Sequence, residues 1–253
     1  MKGWRLFLII VTMMIWVGSS IIASQLFIGY LMLGILGAEV FLQPLPTAIY
    51  STLSYVVAML LIIFIPPKIA EVSKKKKNKK SVASIDRKSL GLNDLPTWTD
   101  IGLAPAGFLV YLLLATGLTF VFQIFPWFNA GESQDIGFSL YLVGFDRMIA
   151  FLVLVVIAPI AEEMIFRGWL YDRMRREFLR KYSNTVSMIL SILLVSILFG
   201  IVHMQWNVGV NVFAMSIVLC GLREITGTIY AGILMHMLKN GIAFYLLYVV
   251  GIA

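Results

Sequence analysis

The chain has 253 residues, of which 60% are hydrophobic and only 13% are charged. A soluble globular domain carries roughly a quarter charged residues, so this composition excludes a water-soluble fold and favours a membrane protein. The single cysteine, Cys220, excludes an internal disulfide and a multi-thiolate metal site. The net charge of +7 does not indicate a nucleic-acid partner, because the basic residues lie beside apolar segments, where they act as topology signals.

Long apolar segments predict an all-α, polytopic transmembrane bundle of about seven spans, because ~20 helical residues cross the bilayer core. The expected spans are residues 4–36, 47–65, 101–122, 144–178, 186–203, 207–222 and 228–250. The first is longer than the bilayer is thick, so it must tilt, protrude or bend near Gly18. A basic start and Ala23-Ser24 loosely resemble a signal peptide, but the apolar stretch continues past them. Ten-residue alternation typical of a membrane β-barrel is absent from the sequence.

A lysine-rich hydrophilic segment divides the chain into three predicted parts. Residues 1–72 form an N-terminal transmembrane helix pair, residues 73–100 a basic cytoplasmic linker and residues 101–253 the core. Lysine and arginine concentrate in this linker and near residues 173–181, which predicts a cytoplasmic N terminus and an external C terminus. We expect the lysine run at residues 74–80 to be a positive-inside anchor; attraction to anionic lipid or to an acidic partner is the alternative.

Charged side chains in the fourth span call for a function, because each costs at least ~2.5 kcal/mol within the membrane. Glu163 and Arg167 are four residues apart and share a helix face, which predicts an ion pair. Glu162 is rotated by about 100° from Glu163 and lacks such a partner. A carboxylate in apolar surroundings suits a general base near neutral pH. We predict Glu162 as the base, with the pair in support; an ion-paired cluster that only packs helices is the alternative.

The only two histidines, His203 and His236, both lie in predicted spans. His236 and Asn240 share a helix face at four-residue spacing. At ~1.5 Å per residue from the predicted cytoplasmic ends, Glu162 and both histidines reach similar depths, with His203 somewhat deeper, so we expect them to converge. Lys239 has apolar neighbours, and we expect its long side chain to extend outward to the membrane surface.

Three polar motifs on successive apolar segments are Glu162-Glu163-x-x-x-Arg167, Phe199-x-x-x-His203 and His236-x-x-x-Asn240. In this order they resemble the motifs of the CAAX protease and bacteriocin-processing family of intramembrane proteases, also called the Abi family. The resemblance covers roughly residues 100–253, and Leu90-Gly91-Leu92 followed by Trp98 loosely resembles the family's lead-in to its core. Residues 1–89 match no pattern of the family.

The resemblance implies a helical bundle with a conical active-site cavity inside the membrane, open toward cytoplasm and lipid. It also implies endopeptidase activity on a membrane-embedded or prenylated peptide, in which Glu162 activates water with the help of His203. His236 and Asn240 would then stabilise the oxyanion. These groups can supply the base, the oxyanion donors and the leaving-group proton that amide hydrolysis needs. The sequence contains no G-x-S-x-G elbow, which argues against a serine protease.

Metal use and catalysis itself leave alternatives open. Glu162, His203 and His236 match a zinc ligand set in type, but the chain lacks H-E-x-x-H, so we prefer a metal-free mechanism. The cluster would also suit a non-enzymatic peptide-binding or bacteriocin-immunity protein, or a small proton-coupled transporter. In each case we expect a multi-pass protein of a bacterial cytoplasmic membrane, with membrane lipids and a membrane-associated peptide as partners and no nucleic acid.

Overall fold

The computed structural model describes residues 3–37, 43–66, 87–92, 95–132, 138 and 142–251. Within these residues, every regular element is a helix. Those long and apolar enough to cross a membrane are α1 (Gly3–Leu36), α2 (Pro44–Phe64), α3 (Trp98–Phe122), α4 (Gly144–Leu179), α5 (Asn184–Ile201), α6 (Trp206–Thr226) and α7 (Tyr230–Val250). The predicted all-α, seven-span bundle is confirmed. Much of the predicted linker 73–100, including the lysine run, lies outside the described residues, and the division into three domains stays a prediction.

The end of α5 differs from the sequence prediction in a way that concerns the site. Helix α5 ends at Ile201, so His203 lies in the connection to α6 and not in the span. Met204 explains this end, because its φ of 56° is a left-handed conformation that cannot continue a helix.

Helix α1 runs without interruption through Gly18; at 34 residues it is about 51 Å long, so it must tilt or protrude.

Helix α4 contains two π-helical stretches on either side of its acidic pair. They cover Leu152–Ile157 and Met164–Tyr171, and the short α-helical turn between them is Ala158–Glu163. Glu162 and Glu163 are therefore the last two residues of the α-helical turn, directly before the second π-helical stretch begins. π-Turns within helices are frequent at functional sites, and here they occur where the chain carries its charged residues.

Helices α5 and α6 approach each other closely at two glycines. A Cβ atom on Gly200 would lie 2.9 Å from the carbonyl oxygen of Gly209, and one on Gly209 would lie 3.1 Å from that of Gly200. Only glycine permits this backbone contact, which is the small-residue packing typical of membrane helices. Because His203 follows Gly200 by three residues, this contact helps to position it.

Polar contacts join four helices at one end of the bundle. Tyr171 and Arg175 of α4 both donate to the same oxygen of Glu224 in α6, at 2.6 and 2.8 Å. Asp100, in the first turn of α3, accepts a 3.0 Å hydrogen bond from the Thr228 hydroxyl just before α7. This end also holds the basic segment 173–181, which was predicted to be cytoplasmic.

Aromatic residues cluster at the C-terminal end of α3 and the start of α6. The rings of Trp127 and Trp206 lie 5.2 Å apart between centroids, and Trp127 also stacks on Phe125 at 5.5 Å. Aromatic side chains of this kind are enriched at the membrane–water interface. The cluster therefore marks the opposite end of the bundle from the Glu224 contacts.

Candidate active site

A cavity of about 770 Å³ lies within the bundle and is bordered by every long helix except α3. Its polar wall contains Glu162 of α4, His203 of the α5–α6 connection, and His236 and Asn240 of α7. The structure thus brings these predicted residues to one cavity. The remaining predicted pair, Glu163 and Arg167, is fully buried behind this wall.

Glu162 has a hydrogen-bond partner that the sequence did not predict. Its Oε1 accepts a 2.7 Å hydrogen bond from the hydroxyl of Tyr55 in α2. Its Oε2 lies 3.8 Å from Nε2 of His236, and the side chain is 16% exposed. The expectation that Glu162 has no partner is therefore wrong. Tyr55 fixes Oε1, and Oε2 remains available for a further contact in the cavity.

Tyr55 belongs to a polar face of α2 that lines the cavity together with Tyr50, Ser51 and Ser54. Helical positions three and four apart share a face, so this spacing was the available signal in an otherwise apolar span. The N-terminal helices border the cavity directly, although their sequence carries none of the three motifs. Sequence reasoning missed this contribution because it depends on how distant helices pack.

The predicted ion pair between Glu163 and Arg167 is present. Arg167 Nη1 donates to Glu163 Oε1 at 3.0 Å, with both side chains fully buried. The guanidinium also lies over the ring of Phe199, 4.5 Å from its centroid. The cation–π contact and the ion pair both offset the cost of burying the arginine.

His236 connects the buried pair to the cavity. Its Nδ1 lies 3.0 Å from Glu163 Oε1. An ionised carboxylate only accepts hydrogen bonds, so Nδ1–H must be the donor and Nε2 is the atom that faces Glu162. The second carboxylate of the motif therefore orients the histidine, while the first remains available to the cavity.

His203 is oriented in the same way by a backbone group. Its Nδ1 lies 2.7 Å from the carbonyl oxygen of Phe199, which can only accept, so Nδ1 carries the hydrogen. Burial lowers the pKa of His203 from its ordinary value, and this outweighs the opposing effect of the Glu162 carboxylate. A neutral His203 thus presents an Nε2 that accepts a hydrogen bond.

Asn240 is fixed by α4. Its Nδ2 donates a 2.9 Å hydrogen bond to the backbone carbonyl of Leu154, in the first π-helical stretch. An amide nitrogen carries two hydrogens, so one remains for the cavity, on which Asn240 lies. The arrangement provides a donor whose direction is set by the scaffold.

Lys239 also lines the cavity, which contradicts the expectation that it extends outward. It lies near the middle of α7, about 14 Å along the helix from Tyr230, so the membrane surface is distant. The Glu162 carboxylate attracts its ammonium group from the same cavity. Among the described residues, Lys239 makes no hydrogen bond or salt bridge.

Metal use stays a prediction of the sequence, with a metal-free mechanism preferred and a zinc site of Glu162, His203 and His236 as the alternative. Within the part of the chain that the structure describes, no three His, Cys, Asp or Glu side chains converge as metal ligands. In the proposed set of Glu162, His203 and His236, one Glu162 oxygen is already bonded to Tyr55.

Comparison with known protein families gives a match over part of the chain. The family model for type II CAAX prenyl endopeptidase Rce1-like proteins matches residues 144–242. This segment is similar to the Rce1-like proteins. It covers about two fifths of the chain and contains all three motifs, so the resemblance to the CAAX protease family is confirmed and supports a membrane protease. Tyr55 lies outside the Rce1-like segment. No curated protein and no solved structure shows a significant match to the chain.

Proposed function

We propose that the protein is an intramembrane endopeptidase that hydrolyses a peptide bond of a membrane-associated or prenylated substrate. The observation that carries this proposal is the cavity shared by Glu162, His203, His236 and Asn240. Its volume of about 770 Å³ lies in the range of ligand pockets, ~300–1,000 Å³. The Rce1-like segment supports the same substrate class, since the family is named for prenylated CAAX proteins.

Glu162 is the general base in this proposal. A water molecule in the cavity donates one hydrogen to Glu162 Oε2 and the other to Nε2 of neutral His203. Glu162 takes the proton as the water oxygen attacks the carbonyl carbon. The hydrogen bond from Tyr55 to the other carboxylate oxygen supports this assignment, because it leaves Oε2 directed at the cavity.

His236 and Asn240 bind the carbonyl oxygen as it gains negative charge. Asn240 donates its second Nδ2 hydrogen, and His236 donates from Nε2. Nδ1 of His236 is directed at Glu163, so Nε2 is the nitrogen that faces the cavity. Preorganised donors of this kind contribute about 100- to 1,000-fold in rate each.

The tetrahedral intermediate then breaks down with a balanced proton transfer. The carbon–nitrogen bond breaks, and the proton that Glu162 took from water goes to the leaving amine. The products are a new carboxylate and a new amine, and Glu162 returns to its ionised form. Neither a covalent enzyme intermediate nor a metal ion takes part in these steps.

The decisive experiment compares Glu162→Gln with the wild type in lipid nanodiscs. The substrate is a fluorogenic peptide with a farnesylated cysteine followed by two aliphatic residues and serine. We expect a loss of at least about 100-fold in kcat, because proton transfer by a positioned base contributes ~10²–10⁴-fold. Glu177→Gln is the matched control, since Glu177 lies on the same helix but pairs with Arg180 outside the cavity. Wild-type rates in Glu162→Gln would refute the proposal.

The zinc and binding-only alternatives are separated in the same assay. A chelator added to the wild type leaves turnover unchanged under the metal-free mechanism. Loss of turnover that zinc restores would favour the metalloprotease. Peptide binding that depends on His236 without any hydrolysis would favour the non-enzymatic alternative.

A further inference from the structure

Among the charged side chains of the described residues that line the cavity, Lys239 is the one to which the proposed mechanism gives no task. An uncompensated charge in the middle of a span is costly, so such residues mark sites of function. Glu163 is paired directly with Arg167, whereas Lys239 shares the cavity with Glu162 and makes no hydrogen bond or salt bridge among the described residues. A carboxylate bound at Lys239 would give this ammonium group a direct anionic partner.

A second cavity of about 170 Å³ meets the first at Lys239 and Val212, which line both. Its other polar residues are Thr119, Asn207 and Asn211. Lys239 therefore forms part of the wall between the catalytic cavity and a small polar side pocket.

Asn211 lines this side pocket, and its amide has a fixed orientation. Its Oδ1 accepts a 2.6 Å hydrogen bond from the Tyr111 hydroxyl, which fixes the orientation of the amide. The Nδ2 group has no hydrogen-bond partner among the described residues and lies in a residue that lines the pocket. An ammonium and an oriented amide NH₂ at one small pocket are a donor set that suits a carboxylate.

We propose that Lys239 and Asn211 bind the C-terminal carboxylate of the peptide substrate. This inference deepens the proposed endopeptidase function and rests on it. A carboxylate in the main cavity would be repelled by Glu162, whereas the side pocket offers a cation and contains no acidic side chain among its described lining residues. Since Lys239 directly precedes Asn240, the carboxylate would sit beside the oxyanion donors, and the cleaved bond would lie close to the C terminus.

The experiment compares two peptides that differ only at the C terminus. One is the farnesylated fluorogenic peptide with a free carboxylate, and the other is its C-terminal carboxamide. We expect the wild type to prefer the carboxylate by about tenfold or more in kcat/KM, which is the effect of one charge-assisted hydrogen bond. Lys239→Met should lower this preference to near unity, mainly by raising KM for the carboxylate peptide, and Lys239→Arg should retain most of it. Lys181→Met is the matched control, because Lys181 is exposed outside both cavities.

Equal cleavage of the two peptides by the wild type would overturn the proposal. So would an equal fall in kcat for both peptides in Lys239→Met, because the lysine would then act through Glu162. A Lys239 effect that appears only in nanodiscs with anionic phosphatidylglycerol would assign the cation to lipid headgroups and would also overturn it.

Binding to the Glu162→Gln variant makes the inference independent of turnover. Fluorescence anisotropy of the two labelled peptides should give about tenfold tighter binding of the carboxylate form, and the added Lys239→Met substitution should remove this difference. If the wild type does not hydrolyse the peptide but this difference persists, the endopeptidase proposal fails and the carboxylate site stands. Equal binding of both forms refutes the carboxylate site whatever the turnover.

Discussion

The hydroxyl of Tyr55 donates a 2.7 Å hydrogen bond to Oε1 of Glu162, joining two residues that are 107 positions apart. Tyr55 lies in α2, outside the Rce1-like segment 144–242, whereas Glu162 belongs to its first motif. The N-terminal helix pair therefore contributes a polar group to the site. Its role goes beyond covering the bundle, because the bond determines which oxygen of the proposed base faces the cavity.

Replacing Tyr55 with phenylalanine should lower kcat by about tenfold while the protein still folds. A hydrogen bond to a charged group contributes ~1.5–3 kcal/mol, and without it the Glu162 carboxylate can rotate away from the productive orientation. The measurement is the peptide hydrolysis rate in nanodiscs. Tyr30→Phe is the control, because Tyr30 on α1 is 83% exposed and outside the cavity. Wild-type activity in Tyr55→Phe would mean that the bond has no catalytic effect.

The buried ion pair leads to a prediction about stability. Arg167→Met should destabilise the protein by about 3–5 kcal/mol, because it leaves Glu163 buried without its cation. Arg176→Met should change stability by less than about 1 kcal/mol, since Arg176 is 56% exposed and pairs with Asp172 at the surface.

Thermal unfolding of the two variants in detergent tests this difference. The melting temperature of Arg167→Met should fall well below that of Arg176→Met. Similar melting temperatures would show that Arg167 does not stabilise the acidic motif. Glu163→Gln combined with Arg167→Met should recover part of the loss, because the unpaired buried charge is then removed.

The helix packing near His203 leads to a third prediction. Gly200→Ala should destabilise the protein by about 1–3 kcal/mol and lower activity, because its Cβ would lie 2.9 Å from the Gly209 carbonyl oxygen. The backbone of α6 cannot yield as a flexible side chain would, so α5 must shift together with His203. Gly221→Ala is the control, since nothing lies within 4 Å of its Cβ position. It should be neutral or slightly stabilising, because alanine favours helix. Equal melting temperatures for both variants would contradict the close contact.

Local spacing explains which parts of the site could be predicted from the sequence. Residues four apart share a helix face, so the Glu163–Arg167 pair followed from the motif alone. The span boundaries followed from hydropathy, because about 20 apolar residues are needed to cross the membrane. Each of these features depends only on residues that are close together in the sequence.

Contacts between helices could not be predicted in the same way. Neither the Tyr55 hydroxyl at Glu162 nor the position of Lys239 between two cavities follows from local spacing, because each depends on helix rotation in the bundle. The end of α5 before His203 depends on the left-handed conformation of Met204. Residues other than glycine rarely adopt this conformation, so a methionine does not predict it. The missed features concern either the packing of one helix against another or a local backbone conformation.

The predicted topology can be tested with the one cysteine of the chain. Cys220 is buried, so replacing it with serine gives a background for single cysteines introduced at exposed sites. Lys181 lies in the connection after α4 and Gly131 in the region after α3, and both are exposed. If the basic segment 173–181 is cytoplasmic, Gly131→Cys in intact cells should react with a membrane-impermeant maleimide and Lys181→Cys should not. Lysis should make both reactive. The reverse pattern in intact cells would place the N terminus outside and refute the proposed orientation.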